Sequence, residues 1–198
     1  DILPQEEARN EISDRTNDFS KILSADIIFG SIGYLYRNKG FDFLINATKL
    51  LIEQGLNPLL IIIGNGPEEN ELKNWIEQLK LHDNVILLGE VPHASRLLNA
   101  FDYYVCSSTK EGLSYTMMEA MTAGLPIIAT AVGGNGELIT HQKEGILIEA
   151  SKPEEIAKEL VYLKENPEKA LELAQNAHKK AVNDFTIEQT IQKTNYLY

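Results

Sequence analysis

Two glutamates, Glu111 and Glu119, stand in one stretch, EGLSYTMMEAMTAGLPIIAT, which runs from position 111 to position 130. A carboxylate accepts two hydroxyl hydrogen bonds at once, which suits a vicinal diol such as ribose. Upstream, the segment from Gly33 to Gly40 reads GYLYRNKG. A glycine just after a strand lets backbone approach a phosphate, and Lys39 adds a compact positive charge. Carboxylates for hydroxyls, with a cation and glycine-flanked backbone for a phosphate, are the groups that a nucleotide-like ligand needs.

Those residues need elements to hold them. Tyr115 to Ala123 is rich in Met and Ala, good helix formers, and Gly124 followed by Pro126 should stop it. Leu125 to Thr130 is a short apolar run and predicts a buried strand. Tyr103 to Cys106 is another, ending in Ser107 and Ser108. The unit is therefore strand, loop, helix, strand. The loop from Glu111 to Ser114 falls where a strand's carboxyl end meets a helix N-terminus. In open α/β sheets ligands bind there, and a helix N-terminus favours anions such as phosphate.

The rest of the chain repeats the alternation. Asp26 to Leu35 predicts the first strand, and Phe41, Leu44, Ile45, Thr48, Leu51 and Ile52 recur at helical spacing. PLLIIIG, from Pro58 to Gly64, is a continuous apolar run of the kind that parallel sheets bury on both faces. Gly64-Asn65-Gly66-Pro67 reads as a turn, and the helix after it should bury Leu72, Trp75, Ile76 and Leu79. Asn84 to Gly89 predicts a strand, Ala94 to Ala100 a short helix, and Gly145 to Ile148 a last short strand. A segment at Glu137 to Thr140 precedes that strand. Pro153 to Glu165, Pro167 to Asp184 and Thr186 to Tyr198 predict helices. Alternation of this sort implies a doubly wound parallel sheet, an α/β, Rossmann-like fold. The first 24 residues are polar and acidic and read as a connector or a short helix. Residues 25–198 are expected to form one Rossmann-like α/β domain with C-terminal helices.

Composition narrows the function. The chain has 198 residues, 43% hydrophobic and 24% charged, ordinary for a globular domain. Its net charge of −11, from 29 acids and 18 bases, opposes a nucleic-acid groove or an anionic membrane surface. No apolar run is long enough for a transmembrane helix. One cysteine, Cys106, fits a reducing cytoplasm, and its apolar strand makes core packing its expected role. His93 and His141 fall in predicted turns with no carboxylate or cysteine at metal spacing, so no metal site is expected. The first residue is Asp1, which suggests a piece of a longer protein.

The stretch from Glu111 to Thr130, with Ser107-Ser108 before it and Gly133, Gly134 and Glu137 after it, resembles the signature of retaining GT-B glycosyltransferases of the glycosyl transferases group 1 family (family four). The resemblance extends over nearly the whole chain. It implies one half of a GT-B fold, the C-terminal half that binds a nucleotide-diphosphate sugar such as a UDP- or GDP-sugar, with no other cofactor and no metal. The acceptor-binding N-terminal half would be the missing partner, and any peripheral membrane contact would come through it.

Residue by residue, the resemblance implies that Glu119 holds the ribose hydroxyls and Glu111 the donor sugar. It sets backbone N–H groups of Leu113, Ser114 and Tyr115 against the distal phosphate. Val91, in Gly89-Glu90-Val91-Pro92, is carried over as a base contact through backbone. Gly33 and Lys39 match the diphosphate grip. Tyr34 departs from it, because the family has arginine there, and Arg37 is the residue that could fold back in its place. Lys39 and Glu111 are the expected catalytic pair. The alternative function is a non-catalytic nucleotide-sugar-binding subunit or a degenerate half, which Tyr34 favours. A nucleotide-sugar epimerase of GT-B shape fits the central stretch less well.

Overall fold

A computed structural model describes residues 2–185. The strands are β1 (Ile27–Ile32), β2 (Pro58–Ile63), β3 (Val85–Gly89), β4 (Tyr103–Cys106), β5 (Ile127–Thr130) and β6 (Ile146–Ile148). They form one six-stranded sheet in the order β3-β2-β1-β4-β5-β6, and every pairing is parallel. The doubly wound α/β prediction therefore holds. The first strand is shorter than expected, because Gly33 to Leu35 leaves the sheet and packs on the turn at Asn65. Pro126 cannot donate to a ladder, and β5 begins one residue after it.

Parallel strands bury both faces because successive side chains alternate. In β2, Leu60 and Ile62 join one core cluster, whereas Leu59, Ile61 and Ile63 join the other. Helices α3 (Phe41–Glu53), α4 (Glu69–Leu79) and α7 (Pro153–Glu165) supply residues to the first cluster. Helices α5 (Tyr115–Ala123) and α8 (Pro167–Asp184) supply the second, with Met117, Met121, Ala177 and Ala181. Cys106 is buried in that second cluster, as its strand position predicts. A short helix, α6 (Asn135–Leu138), follows β5.

The first residues are better ordered than a bare connector. Gln5–Thr16 is a helix, α1, and Ser20–Ser24 is a short one, α2. Ala8 and Ile12, one turn apart, are fully buried on the second cluster. Arg9 Nη2 donates to Asp102 Oδ1 at 2.7 Å, and Asp102 Oδ2 accepts from the Ile28 N–H at 2.8 Å. Two apolar positions per helix leave almost no periodic trace, which is why the sequence predicts so little here. Trp75 is a second difference. Leu72 and Ile76 are buried, but Trp75 keeps 38% of its surface exposed. It lies at the edge of the apolar stripe of α4 and opens onto a cavity instead of the core. The predicted helix from Thr186 to Tyr198 lies outside the described residues.

Candidate functional site

The strand order reverses between β1 and β4. Crossovers from β1 run one way along the sheet, to β2 and β3, and those from β4 run the other way. A crevice opens at the carboxyl ends of the two strands where such a reversal falls. Lys39 follows β1 and Glu111 follows β4, so the candidate residues from two distant stretches meet at this point. Lys39 Nζ donates to Glu111 Oε2 at 2.7 Å. Their side chains keep only 25% and 11% of their exposure.

Long-range contacts lock both loops. Ser107 Oγ donates to the Lys39 carbonyl at 2.8 Å, and Ser108 Oγ donates to Glu111 Oε2 at 2.9 Å. The Thr109 N–H donates to the Asn38 carbonyl at 2.8 Å. Gly40 has φ +65, and a Cβ there would stand 2.3 Å from the Ser107 carbonyl oxygen, so only glycine lets the loops close. Below them Thr130 Oγ1 donates to the Ser108 carbonyl at 2.6 Å, and buried Asn135 donates to the Thr130 carbonyl at 2.9 Å. The Gly134 N–H donates to the Gly112 carbonyl at 2.7 Å, which ties the Glu111 loop to the start of α6. These supports are the residues that pattern reading missed. Ser107, Ser108, Gly133 and Gly134 were visible as a motif, but their partners are backbone atoms of remote segments, which leave no local signal.

The loop ends at α5. Ser114 caps the helix, its Oγ accepting from the Met117 N–H at 3.4 Å. The main-chain N–H groups of Leu113, Ser114 and Tyr115 donate to no other main-chain group among the described residues. They are orphan donors at the positive end of a helix dipole, a ready anion site. Glu119 sits one turn after Tyr115 on the same exposed face, and its side chain makes no hydrogen bond or ion pair among the described residues. It is free to accept from a diol. A small pocket behind Lys39 and Glu111 is lined by Ser31, Tyr104, Ser114 and Thr116. Burial pushes the Tyr104 phenol far above its ordinary pKa, so it remains a neutral donor, to Thr116 Oγ1 at 2.8 Å.

Gly33 lies beside the Lys39 stem with an ordinary backbone: a Cβ there would meet Phe41 Cζ at 3.6 Å and Lys39 Cε at 4.0 Å, both ordinary contacts. The Gly64-Asn65-Gly66 turn packs against Gly33 and Leu35, where a Cβ on Gly64 would stand 1.9 Å from the Gly33 carbonyl oxygen. Val91 has its side chain in the second core cluster, leaving backbone as the part of it that a ligand could touch. Arg37 does not join Lys39. It lines a separate cavity with Asp42 and Trp75 on the far side of Phe41, whose ring borders both spaces. Tyr34 is half exposed, its ring 4.6 Å from that of Tyr36.

The doubly wound parallel sheet, with a cation, two carboxylates and a free helix N-terminus at its switch point, is a Rossmann-like α/β domain, and the solved structures that superpose on it make it one half of a GT-B fold. A family model described as Glycosyl transferases group 1 matches residues 14–180, and the chain belongs to that family. The UDP-Gal:alpha-D-GlcNAc-diphosphoundecaprenol alpha-1,3-galactosyltransferase of Escherichia coli is 31% identical over 175 residues, covering 86% of this chain and 45% of that protein. A solved structure of an S. aureus TarM mutant, in complex with fondaparinux, alpha-GlcNAc-glycerol and UDP, superposes with a TM-score of 0.79. It is 26% identical and covers 86% of this chain and 35% of that one. Anabaena Alr3699/HepE in complex with UDP-glucose superposes with a TM-score of 0.83 at 24% identity, over 100% of this chain and 56% of that one. The chain spans about half the length of the curated relatives it matches. Among the described residues, no helix is long and apolar enough to cross a membrane.

Proposed function

We propose that this chain is the donor-binding half of a retaining, metal-independent glycosyltransferase that uses a nucleotide-diphosphate sugar. The observation that carries this reading is the Lys39–Glu111 contact at 2.7 Å, set at the switch point beside the free N–H groups that open α5. Lys39 and those N–H groups neutralise the donor diphosphate. In the structure the Lys39 ammonium contacts Glu111 Oε2 at 2.7 Å. A diphosphate takes over that ammonium and releases Glu111 Oε2, which Ser108 holds in place, toward the donor sugar. The exchange is between charge-assisted contacts of one kind, each roughly 1.5–3 kcal/mol, so the ammonium can pass from carboxylate to diphosphate. Glu119 takes the ribose hydroxyls, and Val91 backbone lies against the base. The acceptor would be held by an N-terminal half, in keeping with relatives of about twice this length. A cytoplasmic location goes with a nucleotide-sugar donor.

Calorimetric titration of the chain with UDP, GDP and UDP-glucose tests this directly. At least one nucleoside diphosphate should bind, with the same affinity in EDTA, and the chain alone should transfer no sugar. Absence of binding by every nucleotide overturns the donor-site reading. Loss of binding in EDTA overturns the role given to Lys39 and the backbone donors.

Lys39→Ala should weaken nucleoside diphosphate binding by about tenfold or more. The loss should be larger at low salt, because the missing contribution is electrostatic and screened. Titration of the variant at two ionic strengths checks this, and a salt-independent loss would point to loop disruption instead.

One feature favours the second reading, a non-catalytic nucleotide-sugar-binding subunit. Tyr34 stands where the family resemblance expects a cation, and Arg37 lines another cavity, so among the described residues Lys39 is the only basic side chain on the Glu111 pocket. Transfer by the chain joined to its N-terminal half would exclude that reading.

A further inference from the structure

The cavity that takes Arg37 belongs to no part of the donor site. It has a volume of about 140 Å³ and lies between the loop after β1 and the first turns of α3 and α4. Phe41 and Leu72 form its apolar base, both buried. Tyr36 and Trp75 line it with 51% and 38% of their surfaces exposed. Asp42, Glu68, Glu71 and Arg37 supply its polar groups.

Those four charged side chains face one space. Lys73, on the same helix as Glu71, pairs with Glu69 at 2.6 Å and is not among the cavity's lining. Glu68, Glu71 and Arg37 make no side-chain hydrogen bond or ion pair with a described residue, whereas the Asp42 carboxylate accepts from the main-chain N–H groups of Asp42 and Phe43 and feels the Arg37 charge. Two carboxylates and one five-donor guanidinium therefore face a shared space with their capacity unused, and the Asp42 carboxylate borders it.

We propose that this cavity is a saccharide subsite, which holds one pyranose unit apart from the donor sugar. A pyranose has an apolar C–H face and a rim of hydroxyls that both donate and accept. Trp75 and Tyr36 offer flat amphipathic surfaces for the face. The carboxylates accept from the hydroxyls, and Arg37 donates to them. The mixture of charges selects against ions. An anion meets Arg37 but is opposed by three carboxylates. A cation meets the carboxylates but is opposed by Arg37 beside the same rings. A neutral polyol uses every group. The size also fits a single ring, since pockets for larger, drug-sized ligands run to roughly 300–1,000 Å³. Phe41 borders this cavity and the Lys39 pocket alike, so a sugar here would lie beside the donor site on the same face of the loop. The inference stands on the cavity itself and does not require that the chain transfer sugar.

Trp75 is the only tryptophan in the chain, so its fluorescence reads this cavity alone. The 198-residue chain should be titrated with the methyl α-glycosides of glucose, galactose and N-acetylglucosamine, with and without saturating UDP. At least one glycoside should shift the Trp75 emission saturably, and UDP should leave that curve in place. Glu71→Gln and Tyr36→Ala should each weaken the glycoside by about tenfold while UDP affinity stays unchanged. Calorimetry on the same samples gives a readout independent of the ring. No response to any glycoside up to its solubility overturns the subsite. A response that UDP abolishes assigns the sugar to the donor site and overturns it as well. A response to tetramethylammonium or spermidine but to no glycoside makes the cavity a cation site and overturns the saccharide reading. UDP binding that persists in any of these cases leaves the donor-site reading standing.

Discussion

Gly133→Val should remove most of the chain's affinity for UDP while leaving the sheet folded. Gly133 has φ +50, and a Cβ there would stand 1.7 Å from the Glu111 carbonyl oxygen. Left-handed backbone costs a residue with a side chain roughly 1–2 kcal/mol. The collision costs more, because the obstacle is backbone and cannot rotate away. Relief comes only if residues 111–113 move, and those residues carry Glu111 and the N–H groups at the start of α5. An affinity loss on the order of a hundredfold follows from displacing several hydrogen-bonding groups at once. UDP titration alongside far-UV circular dichroism measures both parts. Wild-type affinity in a folded Gly133→Val protein would show that the loop does not bind the nucleotide. If that variant does not fold, Gly134→Ala is the second test. Its Cβ would stand 2.3 Å from the Gly112 carbonyl oxygen, with an ordinary backbone. It should give a smaller loss in the same direction.

This same loop marks where sequence reading succeeds and where it stops. The helix Tyr115–Ala123 was legible to the residue, because its Met and Ala favour helix and Gly124 and Pro126 punctuate its end. β2 was legible because a run buried on both faces can contain almost nothing polar. The parallel, doubly wound arrangement followed from alternation alone. The contact between Lys39 and Glu111 was not legible, since 72 residues separate them in sequence. Only the reversal of strand order between β1 and β4 brings their loops together. Arg37 and Lys39 show the same limit at short range. Two residues apart in a 3-10 turn, they line different cavities, and spacing alone does not say which of them faces the ligand. Trp75 misled for a different reason. Its position matches the apolar stripe of α4, but a ring at the edge of a stripe can be turned out by a neighbouring cavity.

The two glutamates should separate cleanly when both are tested against both ligands. Glu119 is assigned to ribose, a part shared by the free nucleotide and the nucleotide sugar. Its carboxylate is exposed and unpartnered among the described residues, none of which competes for it. Glu119→Ala should therefore weaken UDP and UDP-glucose alike, by roughly 1.5–3 kcal/mol, on the order of tenfold to a hundredfold in affinity. Glu111 is assigned to the donor sugar, and the structure adds a consequence. Its Oε2 occupies the Lys39 ammonium at 2.7 Å, the same ammonium that the diphosphate needs. Glu111→Ala removes that competitor. UDP affinity should stay level or rise, by up to about fivefold if the pair contributes ~1 kcal/mol. The extra affinity due to the sugar should disappear, so UDP-glucose should fall toward UDP. Calorimetric titration of the two variants with the two ligands gives four numbers. Equal losses of bare UDP from both variants would sink the division of labour. No change from either would reduce both residues to solvated acids and take the site assignment with them.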